Sequence, residues 1–292
     1  MTKYYKPSGK FSPLFLLYFV TVSLTAFPIL GMIYAYCIWY IPFIYINFFI
    51  TVGFGFLVGL VISKFIIKSG KVRNPILALI IGVFSGIVAL YLHWSVWIDL
   101  VINAGKSYGS DRIGITVSNI EFLQVFSLIL QPNLVFEYIN EVSKYGTWGI
   151  RSATVSGTFL WVIWAIEFVI VIVLTSFLAY LQSKKPFSES TNSWYKEFLL
   201  PAFNFIEDKE QLIVDINNSN KSAIEILSKV IDVHTESHSL FKLYRSQSGK
   251  NYLSVENVAS RINVKGNIVL DSEEFITHIS IDGQLSRILL DK

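Results

Sequence analysis

The chain has 292 residues, of which 53% are hydrophobic and 15% aromatic, with a formal net charge of +3 and a mean hydropathy of +0.52. That balance is too apolar for an ordinary soluble domain, and without a broad basic face it excludes nucleic acid as a partner. The single cysteine, Cys37, excludes an intrachain disulfide and a cysteine-built metal site, and reads as a small apolar residue at the end of a span.

In chain order, a basic tail (residues 1–12, with Lys3, Lys6 and Lys10) precedes an apolar run over 13–36. The run exceeds the ~7–15-residue core of a cleavable signal and no A-x-A site closes it, so it reads as a retained span. Pro28 removes a backbone donor and clashes one turn back, which predicts a kink near Leu24. Further apolar runs cover 42–67, 75–101 and 157–181, each long enough for the about 20 helical residues that cross a ~30 Å hydrocarbon layer. The expected fold class is membrane α-helical. It comprises a four-helix transmembrane bundle (spans 1–3 within 13–102, span 4 at 157–181), an outer helical loop at 103–156 and a C-terminal α+β domain at 182–292.

Orientation follows from the short flanks. Lys3, Lys6, Lys10, Lys64, Lys68, Lys71, Arg73, Lys184 and Lys185 fall on one side of such a bundle, whereas the Cys37–Ile41 turn holds no cation. The positive-inside rule makes that side cytoplasmic, with both termini inside. Tyr34, Tyr36, Trp39, Tyr40, Tyr45, Trp94, Trp97, Trp161 and Trp164 cluster toward the other surface, where amphipathic rings anchor at headgroup level. Frequent Ile, Lys, Asn, Phe and Tyr suggest an AT-rich genome and hence a bacterial inner membrane.

Two kinds of residue stand out within the spans. Gly55-x-x-x-Gly59 and Gly82-x-x-x-Gly86 are small-residue stripes of the kind that lets membrane helices approach closely. Gly59 and Gly82 lie roughly 11 Å from the same surface, so the stripes are expected to face each other in a hairpin, or else to build a homo-oligomer. Glu167 is the only carboxylate deep in a span, and there it must be protonated, paired or facing water. His93, at similar depth in antiparallel span 3, is its expected hydrogen-bond partner, and Asn47 is near enough in depth to join them. The pair reads either as a proton-linked or ligand-sensing site, or as a buried clasp fixing the rotation of span 4.

In the loop, Gly105-Lys-Ser lacks the glycine and strand that a P-loop requires. Ser118-x-x-Glu121 predicts a capped helix through Phe122, Val125, Phe126 and Ile129, with a second helix after Pro132 ended by Gly146. Asp99 and Arg151 flank spans 3 and 4 as a possible interfacial ion pair. In the tail, Trp194–Glu207 reads as helix broken at Pro201, and Gln211–Ile216 as a strand. Ser219 caps a helix through Ile231. Strands follow at Leu240–Tyr244, Tyr252–Val255, Asn267–Leu270 and Ile276–Ile281, with Gln284–Leu290 paired across an Asp282-Gly283 turn. His234-x-x-x-His238 is too sparse for zinc and reads as a solvated loop.

No catalytic, cofactor-binding or metal constellation emerges. The expected function is a non-catalytic integral membrane subunit, scaffold or sensor that presents a cytoplasmic interaction domain to a protein partner or to a second copy. The alternative is a small oligomeric transporter, channel or proton-linked sensor built on His93 and Glu167.

Overall fold

A computed structural model describes residues 4–41, 43–110, 113–146, 148–150, 153–247 and 249–292. The chain divides into two compact units, Ser8–Lys184 and Met1–Pro7 with Lys185–Lys292.

In the first unit, the described residues include four helices long and apolar enough to cross a membrane: Leu14–Tyr40, Tyr45–Lys68, Pro75–Ile102 and Gly157–Lys184. The first is broken into α1 (Leu14–Leu24) and α2 (Ala26–Tyr40). The break falls where Pro28 has no N–H to offer the Leu24 carbonyl, and Thr25 at the junction leaves helical geometry with φ −122° and ψ −71°. α3 (Ile44–Val61) continues into a π-helical turn, Ile62–Lys68. α4 (Pro75–Ile102) starts sharply because the Asn74 side chain accepts from the N–H groups of Ile76 and Leu77, with proline at the first helical position. The surfaces these helices turn outward are apolar, with Leu24, Phe49 and Phe84 among the exposed side chains, a pattern that fits lipid as solvent.

The loop between α4 and the last span begins with a hairpin of β1 (Ser107–Ser110) and β2 (Ile113–Thr116). Two helices follow, α5 (Phe122–Leu130) and α6 (Pro132–Tyr145), bent by 105° at Gln131. β3 (Trp148–Ile150) and β4 (Ala153–Val155) then lead into α7 (Gly157–Lys184). The Ser118 cap differs from expectation. Ser118 Oγ donates to the Leu100 carbonyl at 2.7 Å, and the N–H of Glu121, at the start of α5, is held by Asp99 Oδ2 at 3.0 Å. Tyr91 OH donates to the carbonyls of Leu128 and Ile129, and Trp39 Nε1 to that of Thr116, so this segment is fastened onto the spans. We call this the loop end of the bundle.

The glycine stripes do not face each other. A Cβ on Gly55 or Gly59 would meet Val171, Leu174 and Leu178 of α7, while one on Gly82 would lie 2.5 Å from Ser176 Cα and 2.8 Å from the Thr175 carbonyl oxygen. Gly86 likewise abuts Thr175 and Ile172. Both stripes therefore receive the same helix, and α7 is the common partner of α3 and α4. Depth along a span is readable from sequence, whereas the direction in which a stripe points depends on a helix 70 or more residues downstream.

The second unit is α+β. Short strands β5 (Phe187–Ser188) and β6 (Ser193–Trp194) form a hairpin. β7 (Lys196–Leu199), β8 (Phe203–Asn204), β9 (His238–Arg245), β10 (Asn251–Ile262) and β11 (Ile268–Ile281) make an antiparallel sheet in the order β11-β10-β9-β7, with β8 also on β9. Helices α8 (Lys209–Asn217), α9 (Lys221–Glu225) and α10 (Gly283–Asp291) share its core, where Leu212, Ile216, Ile224, Leu285 and Leu289 pack with Phe241, Leu243, Leu253, Val255 and Ile276. Tyr4 bridges Ile279, and the Tyr5 N–H donates to the His278 carbonyl at 2.9 Å, adding the N-terminal tail to this sheet.

Several tail expectations are overturned. Trp194–Glu207 is strand rather than helix, Gln211–Ile216 is helix rather than strand, and Gln284–Leu290 is helix rather than a hairpin arm. The helix expected through Ile231 ends at Glu225; Ser219 does not cap it but takes φ +53°.

Substitution at the stripes separates contact from mere helix preference. Gly82→Ala is expected to lower stability by roughly 1–3 kcal/mol, because backbone must move. Gly53→Ala, whose Cβ would meet nothing within 4 Å, should stay within about 0.5 kcal/mol of the parent. Thermal unfolding of the two variants in the same detergent measures the difference.

Candidate functional site

At the loop end, α2, α3, α4, α6 and α7 enclose a cavity of about 470 Å³, within the roughly 300–1,000 Å³ range of small-molecule sites. Its walls carry the indoles of Trp39, Trp94, Trp97 and Trp164. Tyr138, Glu141 and Tyr145 of α6 form the rim, and α6 stops there because Gly146 turns the chain at φ +82°. Of the lining residues on α4 and α7, His93 and Glu167 lie farthest from the loop end of their helices, and Asn47 from α3 lines the same cavity.

The indoles hold one another edge to face. Trp94 stands 4.9 Å from Trp164 and 5.4 Å from Trp97, and Trp97 stands 6.2 Å from Trp39. Such contacts are worth about 0.5–1.5 kcal/mol each beyond area burial. The His93 ring lies 4.2 Å from the Tyr34 ring, which stacks on Phe54 at 4.3 Å while its hydroxyl pairs with Thr51 Oγ1 at 2.7 Å. The lining is thus pre-formed by aromatic packing.

The structure brings His93 and Glu167 to one cavity but not into a bond. Among the described residues no hydrogen bond joins them, and His93 Nδ1 and Asn47 Oδ1 have no partner although the two residues are only 5% and 7% exposed. A buried polar atom left unpaired costs about 1–3 kcal/mol. Both atoms are sealed within the wall rather than open to the cavity, which His93, Asn47 and the half-buried Glu167 line together. Trp39, Trp94, Trp97 and Trp164 had read as interfacial anchors; the i, i+3 spacing of Trp94 with Trp97, on the same span as His93, is the sequence signal that points inward.

Other sequence features resolve differently. Asp99 is fully buried and accepts from Glu121 and Asn103, so it positions α5 rather than forming a surface ion pair; Arg151 lies outside the described residues. His238 opens β9 and is buried, whereas His234 is exposed in the preceding turn. The Thr235 hydroxyl and the His234 N–H donate to the Asp232 carboxylate and hold it below the usual carboxylate range, so that carboxylate serves the turn. Among the described residues, no group of three or more His, Cys, Asp and Glu is arranged to hold a metal ion.

Without a His93–Glu167 bond, the carboxyl is not a clasp. Glu167→Gln and Glu167→Leu should both keep the melting midpoint at or above that of the parent, since each removes a costly group from an apolar surround. A loss of about 1–2 kcal/mol in the leucine variant, spared in the glutamine variant, would restore the clasp reading. No family model, curated protein or solved structure matches this chain.

Proposed function

We propose that the protein is a non-catalytic, multi-pass receptor of the plasma membrane. Its loop-end cavity takes a small molecule, and its C-terminal unit presents the response to a protein partner in the cytoplasm. The observation that carries this reading is the cavity itself: about 470 Å³, walled by indoles and lined by His93, Asn47 and Glu167. Its position at the loop end corresponds to the outer surface under the positive-inside rule.

Two further features support the reading. The N-terminal tail pairs with β11 through Tyr4 and Ile279, which requires both chain ends on one side of a membrane, as an even number of crossings provides. In the C-terminal unit, β10 and β11 form a long hairpin whose far end exposes Ile262, Val264, Ile268, Val269 and Leu270. Exposed aliphatic side chains on an edge strand are a docking surface for another protein.

The transporter reading draws on the same cavity. It is the weaker one because a pathway past His93 would have to part α7 from Gly55, Gly59, Gly82 and Gly86, where backbone and side chains of α7 already fill the stripes.

Accessibility labelling tests the orientation. In a Cys37→Ser background, cysteines placed at Lys292 and at Lys6 should react only after the membrane is opened, and one at Asn133 in intact cells. Filling the cavity tests coupling. Val142→Trp, which projects into the cavity from α6, should change amide exchange in β9–β11 at least threefold while proteoliposomes stay tight to ions. Unchanged exchange together with ion flux would replace the receptor by the transporter.

A further inference from the structure

We propose that the ligand of the loop-end cavity is an organic ammonium ion with an apolar, ring-sized body; this rests on the receptor reading above and specifies its ligand. The polar group left unmatched determines the sign. Glu167 lines the cavity, its carboxylate is an acceptor, and among the described residues no hydrogen bond or ion pair reaches it, so what it lacks is a cationic donor. Among the described residues, no lysine or arginine lines the cavity. The second carboxylate of the lining, Glu141 at the rim, is already paired with Lys144 on the same helix, which leaves Glu167 as the charge without a counter-ion.

The walls select for the same chemistry. Trp39, Trp94, Trp97 and Trp164 line the cavity, and indole is the aromatic group that attracts cations most strongly, more so where water is excluded. An ammonium N–H inside the cavity donates to the Glu167 carboxylate. An anion would meet the Glu167 carboxylate with no lysine or arginine to offset it, and a neutral apolar molecule would leave Glu167 as it is. The body of the ligand packs on the indoles. The ammonium group has two sources, a free amine or the headgroup of an ammonium-bearing lipid.

The test uses the full-length protein in maltoside micelles, which carry no ammonium, at pH 7. 2-Phenylethylamine, its neutral isostere 2-phenylethanol and the anion phenylacetate are titrated by calorimetry and by tryptophan fluorescence. The amine should bind saturably, the alcohol at least tenfold more weakly and phenylacetate not at all; Glu167→Gln should weaken the amine at least tenfold and leave the alcohol unchanged. Amine and alcohol binding alike overturns the ammonium assignment while leaving the receptor reading intact. Binding of none of the three overturns it as well, and if Val142→Trp also leaves exchange in β9–β11 unchanged the receptor reading falls with it. The comparison of three probes on the unmodified chain stands even if the glutamine variant does not fold. With amine binding in hand, addition of phosphatidylethanolamine assigns the source: competition identifies a lipid headgroup, and its absence a soluble amine.

Discussion

The close approach of α7 to the glycines of α3 and α4 is the constraint on which the helical unit turns. Lipid gives packed helices no hydrophobic reason to associate, so van der Waals contact at short range must supply it. Gly82 meets Ser176 and Thr175 through backbone atoms, Gly55 meets the Val171 backbone, and Gly55, Gly59 and Gly86 take the side chains of Leu174, Leu178 and Ile172. One helix thus serves two stripes. Along α4 the side chains then grow from none at Gly82 and Gly86 to an imidazole and two indoles at His93, Trp94 and Trp97. Helices held together at one end and propped by large rings toward the other leave a gap between them, and the cavity lies there.

The same gradient accounts for what the sequence made legible and what it did not. Length and hydropathy identify four candidate spans, because a crossing needs about 20 apolar residues wherever it lies, and the break in the first span follows from one proline. Residue depth was equally readable, and it placed His93 and Glu167 in a common layer. Rotation about the helix axis was not, since it depends on which neighbour fills each stripe. The glycines were therefore expected to meet each other, and the histidine and glutamate to bond, when in fact α7 fills both stripes and the two polar groups share an open space. The indoles carry a related ambiguity. Tryptophan is at home in the headgroup layer and in a cavity wall alike, and the packing of Trp94 between Trp97 and Trp164 adds the second role to the first.

In the C-terminal unit the errors have a local cause. Leu212, Ile213, Val214 and Ile216 form a β-like apolar run, yet Asp208 accepts from the Gln211 N–H and starts a helix that buries only Leu212 and Ile216, one turn apart. Asp282-Gly283 has the composition of a hairpin turn, but Asp282 likewise caps α10, whose buried Leu285 and Leu289 repeat that spacing. In both places one capping aspartate outweighed strand-like composition. Within the Trp194–Glu207 segment, β7 and β8 arise from pairing with β9, more than 30 residues later, information that no local window contains.

An irregularity in the sheet explains how the N-terminal tail joins this unit. The pairing of β10 with β11 shifts register between Leu253 and Val255 and again before Glu256, and His278 opposite them takes φ +54°, a conformation costing of order 1–3 kcal/mol for a residue with a side chain. Ser254 Oγ accepts the His278 N–H at 3.0 Å, and the His278 carbonyl accepts from Tyr5. Around that point the Tyr5 ring packs against Tyr252 at 5.4 Å, and Tyr244 against His278 at 4.7 Å. Burial pushes the Tyr244 phenol above its ordinary range, and the nearby Glu197 and Glu274 add to the effect. The bulge therefore spends local strain to create an acceptor for the incoming tail. The chain enters the helical unit at Ser8 and leaves it at Lys184, and the segments before and after it, Met1–Pro7 and Lys185–Lys292, belong to this one α+β unit.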